Sequence, residues 1–230
     1  KYIIHPSEIL SGGPPKDGIP SIDNPLFNSV QEANEWLNDD DLILGLNHNG
    51  VVKAYPHRIL NWHEIVNDKV GKDLVLITYC PLCRTGIAFN PVVNGKQVEF
   101  GTSGKLFNSE LVMYDRLTDS YWPQTLGKAV IGPATGQVLE KIPLDTVEWG
   151  NWKKTHPDTL VLSKKTGKLR NYDSSPYEYF QTSDEVGFGL TFTDTRLKPK
   201  VIVYGIALND KAKAYSEDVV NSVKLINDEL

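Results

Sequence analysis

The sequence predicts an α+β fold: a strand-rich single domain with a duplicated β-hairpin–helix unit (about 42–68 and 202–228) and an extended N-terminal arm. Three observations predict it. Short runs of β-branched and aromatic residues, cut by Gly, Asn and Pro, outnumber segments with helical periodicity. One such segment recurs 160 positions later without a gap. The helical patterns are few and short, which argues against a doubly wound parallel sheet.

Residues 1–28 contain Gly12-Gly13-Pro14-Pro15, Gly18, Pro20 and Pro25, so they read as an extended arm, with the single domain spanning 29–230. Asp23 through Trp36 reads as a turn and a short helix with Val30, Ala33 and Leu37 near one face, closed by Asp39-Asp40-Asp41. Strands follow at Leu42–Asn47 and Val51–Tyr55 around an Asn49-Gly50 turn. Pro56 then opens a helix expected to reach about Asn67, and a strand covers 74–79. Beyond it come short strands at Gly86–Phe89, Gln97–Gly101, Leu111–Asp115 and Ser120–Pro123. A helix over Thr146–Thr155 places Trp149 and Trp152 on one face, and His156-Pro157-Asp158 ends it before strand Thr159–Ser163.

The repeat matches Gly45 with Gly205, Asn49 with Asn209, and Lys53-Ala54-Tyr55 with Lys213-Ala214-Tyr215. Asn61 falls on Asn221 and Asn67-Asp68 on Asn227-Asp228. The departures carry the information. His57, Trp62, His63 and Glu64 become Glu217, Ser222, Val223 and Lys224, so residues special to the first copy are the candidates for a site. The first copy also runs into strand 74–79. The second does not, and an open sheet edge near Leu230 or the N-terminal arm is expected to serve self-association by strand addition.

Bulk composition narrows the function. With 230 residues, 40% apolar and 23% charged, the chain can bury a full core. A net charge of −5 and a pI near 5.6 argue against nucleic acid or an anionic membrane as partner. No run approaches the roughly 18 apolar residues of a membrane span. The chain starts at Lys1, as if a leader had been removed, and its two Cys, one Met and ten Tyr suit an extracytoplasmic compartment.

Chemistry concentrates in Thr78-Tyr79-Cys80-Pro81-Leu82-Cys83-Arg84-Thr85-Gly86, which holds both cysteines directly after an apolar run. Two thiols at this spacing can form a disulfide, exchange electrons with another dithiol, or supply two sulfurs to a metal. Upstream, Pro56-His57-Arg58-Ile59-Leu60-Asn61-Trp62-His63-Glu64 brings two histidines close in sequence.

The combination of Asp17-Gly18-Ile19-Pro20, Lys53-Ala54-Tyr55-Pro56, Leu60-Asn61-Trp62-His63-Glu64-Ile65-Val66-Asn67-Asp68, Cys80-Pro81-Leu82-Cys83 and Asn108-Ser109-Glu110-Leu111-Val112-Met113-Tyr114-Asp115 resembles the domain-of-unknown-function family 3179 of bacteria and archaea. The resemblance covers nearly the whole chain. It implies no assigned activity, and its members are commonly exported.

Three chemistries compete for the cysteines. Gly86 and Pro91 fall where the long helix after a thioredoxin-type motif should run, so that fold is disfavoured, while a dithiol on another fold stays open. A metal set of Cys80, Cys83, His63 and His57 would suit copper or zinc. Against it, His57 and His63 are six residues apart, about 120° around a helix. His63 also reads as a core histidine bonded to a carbonyl. The third possibility is a structural Cys80–Cys83 disulfide in an extracellular or cell-surface assembly subunit. Gly101-Thr102-Ser103-Gly104 reads as a turn between strands, and the acidic run 39–41 as a solvated loop. The leading expectation is an exported protein with a metal-binding or thiol-redox centre.

Overall fold

Asn49 and Gly50 both adopt positive φ, the geometry a tight hairpin turn demands, and they join β3 (Leu42–His48) to β4 (Val51–Pro56) in an antiparallel pair. The computed structural model describes residues 1–187, 189–192, 194–208, 211–223 and 225–229. They divide into two units, Lys1–Ser183 with Gly187–Thr191, and Asp184–Val186 with Phe192–Leu230. Strands outnumber helices, so the fold is mostly β within an α+β class.

The first unit begins with β1 (Ile9–Ser11), β2 (Phe27–Asn28) and α1 (Val30–Ala33), and continues through β3 and β4 into α2 (His57–His63). Next come β5 (Ile65–Val70), β6 (Asp73–Cys80) and β7 (Thr85–Asn90), then β8 (Val92–Val93) and β9 (Lys96–Gln97). Then follow β10 (Phe100–Phe107), β11 (Glu110–Asp115), β12 (Tyr121–Pro123) and β13 (Glu140–Ile142). β14 (Asp145–Glu148), α3 (Trp149–Thr155), β15 (Leu160–Leu162) and α4 (Glu178–Thr182) complete it. These strands form a five-stranded sheet β14-β3-β4-β15-β2 and two four-stranded sheets, β13-β7-β6-β5 and β1-β10-β11-β12, with β8 and β9 as a small pair.

The apolar side chains explain the layering. Leu44, Leu46 and Tyr55 of the hairpin meet Val66, Val75, Ile77 and Tyr79 of the β5–β7 sheet, with Ile59 and Leu60 of α2 beside them. The opposite face of the hairpin, Ile43 and Ala54, is closed by Trp149 and Trp152. Gly45 is required there, because the Trp152 ring lies where a Cβ would be. A third cluster of Leu76, Cys80, Phe89, Phe100, Met113 and Trp122 joins the β6 sheet to the β10–β12 sheet. Cys80 is therefore rooted in a core.

Several expectations need correction. The helix expected to reach Asn67 stops at His63. Glu64 takes φ 58°, and the β-branched Ile65 and Val66 then enter β5, paired with Thr78 and Ile77 of β6. The helix expected over Thr146–Thr155 starts at Trp149, because 145–148 extend as β14 against β3. The helix read after Asp23 is one turn, capped by Ser29 and Glu32. The Gly101–Gly104 segment lies inside β10, where the register slips between Thr102 and Lys105. Within residues 1–28, β1 pairs with β10, β2 pairs with β15, and the Ile22 backbone bonds to Ile65 and Asn67.

In the second unit β16 (Val203–Leu208) and β17 (Lys211–Ser216) form a hairpin that leads into α5 (Glu217–Ser222). Asn209, one of the residues matched in the repeat, and the expected edge at Leu230 lie outside the described residues.

Candidate functional site

Cys80 ends β6 and Thr85 begins β7, and the two face each other across the four-residue loop Pro81–Arg84. Arg84 closes that loop with a positive φ. The strand alternation aims the Cys80 side chain into the core, where the residue is 1% exposed. Cys83 sits on the turn and is exposed at the residue level, although protein atoms crowd its sulfur from the inner side. Both cysteines are free thiols.

The two thiols have opposite character. The hydrogen bond with Cys83, joined by burial, raises the Cys80 thiol well above the usual range. The same bond lowers the Cys83 thiol, and Thr85 assists with its side chain and backbone against the effect of burial. Glu110 of β11 faces Cys83. Burial raises its carboxyl, while Thr125 bonds to it through hydroxyl and backbone. Gln124 braces the loop by donating to Thr78 Oγ1 at 2.9 Å and to the Thr85 carbonyl at 3.0 Å.

A second group of polar side chains comes from the end of α2. Glu64 is only 6% exposed, and burial pushes its carboxyl up to about 7. Its backbone N–H donates to Leu60 and its carbonyl accepts from Tyr79, so the positive-φ turn is tied on both sides. Tyr177 donates its hydroxyl to Glu64 Oε1 at 2.8 Å. The Tyr177 hydroxyl is raised by burial first and then by the charges of Glu64 and Cys80, which places it in the electrostatic field of both.

The histidines take other roles. His63 is fully buried, with Nδ1 2.7 Å from the Pro20 carbonyl and Nε2 2.7 Å from the Tyr172 hydroxyl, so both ring nitrogens are engaged. Burial lowers its pKa. His57 packs on the Tyr79 ring with centroids 4.3 Å apart, and burial with the nearby Arg84 charge lowers it to about 3. His57 Nε2 and Asn61 Oδ1, one helical turn apart, are buried without a hydrogen-bond partner. Of the set Cys80, Cys83, His63 and His57, the two cysteines share one loop, His63 is bonded to Pro20 and Tyr172, and His57 packs on Tyr79. Among the described residues, no three His, Cys, Asp or Glu side chains converge where they could hold an ion.

Glu64 was visible from sequence as a residue special to the first copy. Tyr177 carries no such mark, because its partner lies 113 residues away and nothing local signals the pairing. Among the described residues, no helix is long and apolar enough to cross a membrane. A family model described as "Protein of unknown function (DUF3179)" matches residues 16–230. No curated protein and no solved structure matches the chain.

Proposed function

The chain belongs to the DUF3179 family, and we propose that its Cys80–Cys83 loop is a dithiol redox centre acting on disulfides outside the cytoplasm. One observation carries this reading: two free thiols share one tight turn, Cys80 buried in the core and Cys83 on the exposed side of the loop. Exchange needs that division. The Cys83 thiolate attacks one sulfur of a substrate disulfide, forming a mixed disulfide and releasing the first substrate thiol. Cys80 then loses its proton and attacks the Cys83 sulfur, breaking the mixed disulfide and releasing the second substrate thiol. The dithiol gives up two electrons and two protons, the substrate disulfide gains both, and a Cys80–Cys83 disulfide remains.

This order reverses if the partner is a dithiol and the loop arrives oxidised, so either direction of flow uses the same two sulfurs. The placement outside the cytoplasm rests on the sparse cysteine and methionine content and the family resemblance. The test is alkylation of the reduced protein with iodoacetamide, mapped by peptide mass. Cys83 is expected to react at least about tenfold faster than Cys80 near neutral pH, and equal rates would contradict the division of roles.

A further inference from the structure

The residue that follows β12 reaches from its own sheet to the base of the Cys80–Cys83 loop. Gln124 is fully buried, and its Nε2 donates to Thr78 Oγ1 of β6 at 2.9 Å and to the Thr85 carbonyl of β7 at 3.0 Å. Thr78 Oγ1 gives its own hydrogen to the Ile87 carbonyl at 2.7 Å, so toward Gln124 it acts as acceptor. That fixes which way round the carboxamide lies. Both Nε2 hydrogens are spent, and Oε1 is the end left buried without a partner. An unpaired buried oxygen works against folding, so a carboxamide is a poor choice for packing alone.

The two bonds fall on either side of the dithiol. Thr85 faces Cys80 directly in the β6–β7 register, and Thr78 lies two residues before Cys80 on the same face of β6. That face looks into the cluster of Cys80, Met113 and Trp122. Gln124 is itself fixed from β11: its backbone N–H donates to the Leu111 carbonyl at 3.0 Å, and Thr125 donates its hydroxyl to Glu110 Oε2 at 2.6 Å. The loop above is tied more lightly. Thr85 Oγ1 donates to the Cys83 carbonyl at 3.2 Å, and Cys83 Sγ meets the Cys80 carbonyl at 3.9 Å.

Taking the loop as a dithiol centre, we propose that Gln124 is the positioning residue for disulfide closure. It pins Thr78 and Thr85, so that Cys80 stays in place and the movement is confined to residues 81–84. In closure the Cys80 S–H bond breaks and the Cys80 sulfur bonds to the Cys83 sulfur. The Cys83–substrate S–S bond breaks, and the substrate sulfur leaves with its electron pair. The proton lost by Cys80 goes to the buffer, from which the released thiolate draws its own. Gln124 bonds to the strands and not to the sulfurs, so it acts on geometry. A short loop with both ends held keeps the two sulfurs at a high effective concentration, and slack at its base dilutes it.

The full-length chain is mixed with an aromatic disulfide that releases a coloured thiolate, and the two releases are followed in time. The first reports Cys83 and the second reports closure by Cys80. The equilibrium between dithiol and disulfide is measured separately in glutathione buffers. Gln124→Met keeps the length but removes both donors. It should slow the second release about tenfold and lower the closure equilibrium constant by a similar factor, with the first release unchanged. Thr78→Val keeps a β-branched shape and cuts one arm of the clamp, so it should give about threefold in both. Thr159→Val removes the 3.1 Å acceptor of buried Trp152 Nε1, away from the loop, and should leave both releases and the equilibrium at wild-type values.

Wild-type closure and equilibrium in Gln124→Met would overturn the proposal, as would equal slowing of both releases. A Thr159→Val effect equal to that of Gln124→Met would overturn it too, by tracing the loss to general stability. Should Gln124→Met fail to fold, Thr78→Val decides, and wild-type closure there is the contradicting result. Absence of a second release in the wild type would instead overturn the dithiol reading on which the clamp rests.

Discussion

The hairpin–helix segments of the two units share a local construction and differ in what surrounds it. Leu46 faces Lys53 across β3 and β4, and Ile206 faces Lys213 across β16 and β17, the same register displaced by 160 positions. Lys53 pairs with Asp68 at 2.7 Å while Tyr55 donates to the same carboxylate at 2.6 Å. Lys213 pairs with Asp228 at 2.6 Å while Tyr215 donates to it at 3.0 Å. The surroundings diverge. Ile59 is fully buried and Val219 is 48% exposed, and Gly45 lies under the Trp152 ring while Gly205 has open space at its Cβ position. The Lys–Tyr–Asp latch is thus set by local sequence, whereas a site is set by what is packed onto it.

The sharpest way to break that comparison is to cut both latches. Asp68→Asn leaves a buried ammonium without its counter-charge and only one acceptor oxygen for Lys53, Tyr55 and the Lys69 N–H, so it should cost about 3–5 kcal/mol in urea unfolding. Asp228→Asn acts on an exposed pair and should leave the unfolding midpoint unchanged. Equal losses would mean that both latches are buried in the working protein.

A smaller effect sharpens the other half, the residues that only the first segment carries. Glu64 titrates at about 7 in the folded chain and at an ordinary 4.5 when unfolded, so between those values the native state holds the extra proton. Its contribution to stability is therefore present at low pH and lost as pH rises toward about 7. The wild type minus Glu64→Gln difference in unfolding free energy should be about 2–3 kcal/mol more favourable near pH 5 than near pH 8. His57, lowered from 6.5 to about 3, acts with the opposite sign: its contribution is lost as pH falls through that window. A pH-independent Glu64→Gln difference would show the carboxylate to be as well solvated in the fold as in the open chain.

The same contrast explains what was legible in the sequence. The 42–55 hairpin could be read because Asn49-Gly50 is a turn signal between alternating apolar residues, and the repeat pointed to α2 because only one copy carries Trp62, His63 and Glu64. The end of α2 was not legible. No Gly or Pro stops the helix, and the stop is a positive φ at Glu64, whose N–H closes the last helical turn on Leu60 while its carbonyl is taken by the distant Tyr79 N–H. The reading of His63 as a core histidine bonded to a carbonyl agrees with its bond to Pro20, whereas spacing carries no sign that the Tyr172 hydroxyl takes the other ring nitrogen. Tyr177, whose bond to Glu64 spans most of the first unit, leaves no local trace.

The most direct measurement is a redox titration of the full-length chain in buffers of defined thiol–disulfide ratio, trapped by acid and read by peptide mass at Cys80 and Cys83. A dithiol centre predicts one reversible two-electron transition in which both cysteines change together and the oxidised product is the Cys80–Cys83 disulfide. Independent oxidation of the two cysteines, or failure of that disulfide to form at any ratio, would contradict it.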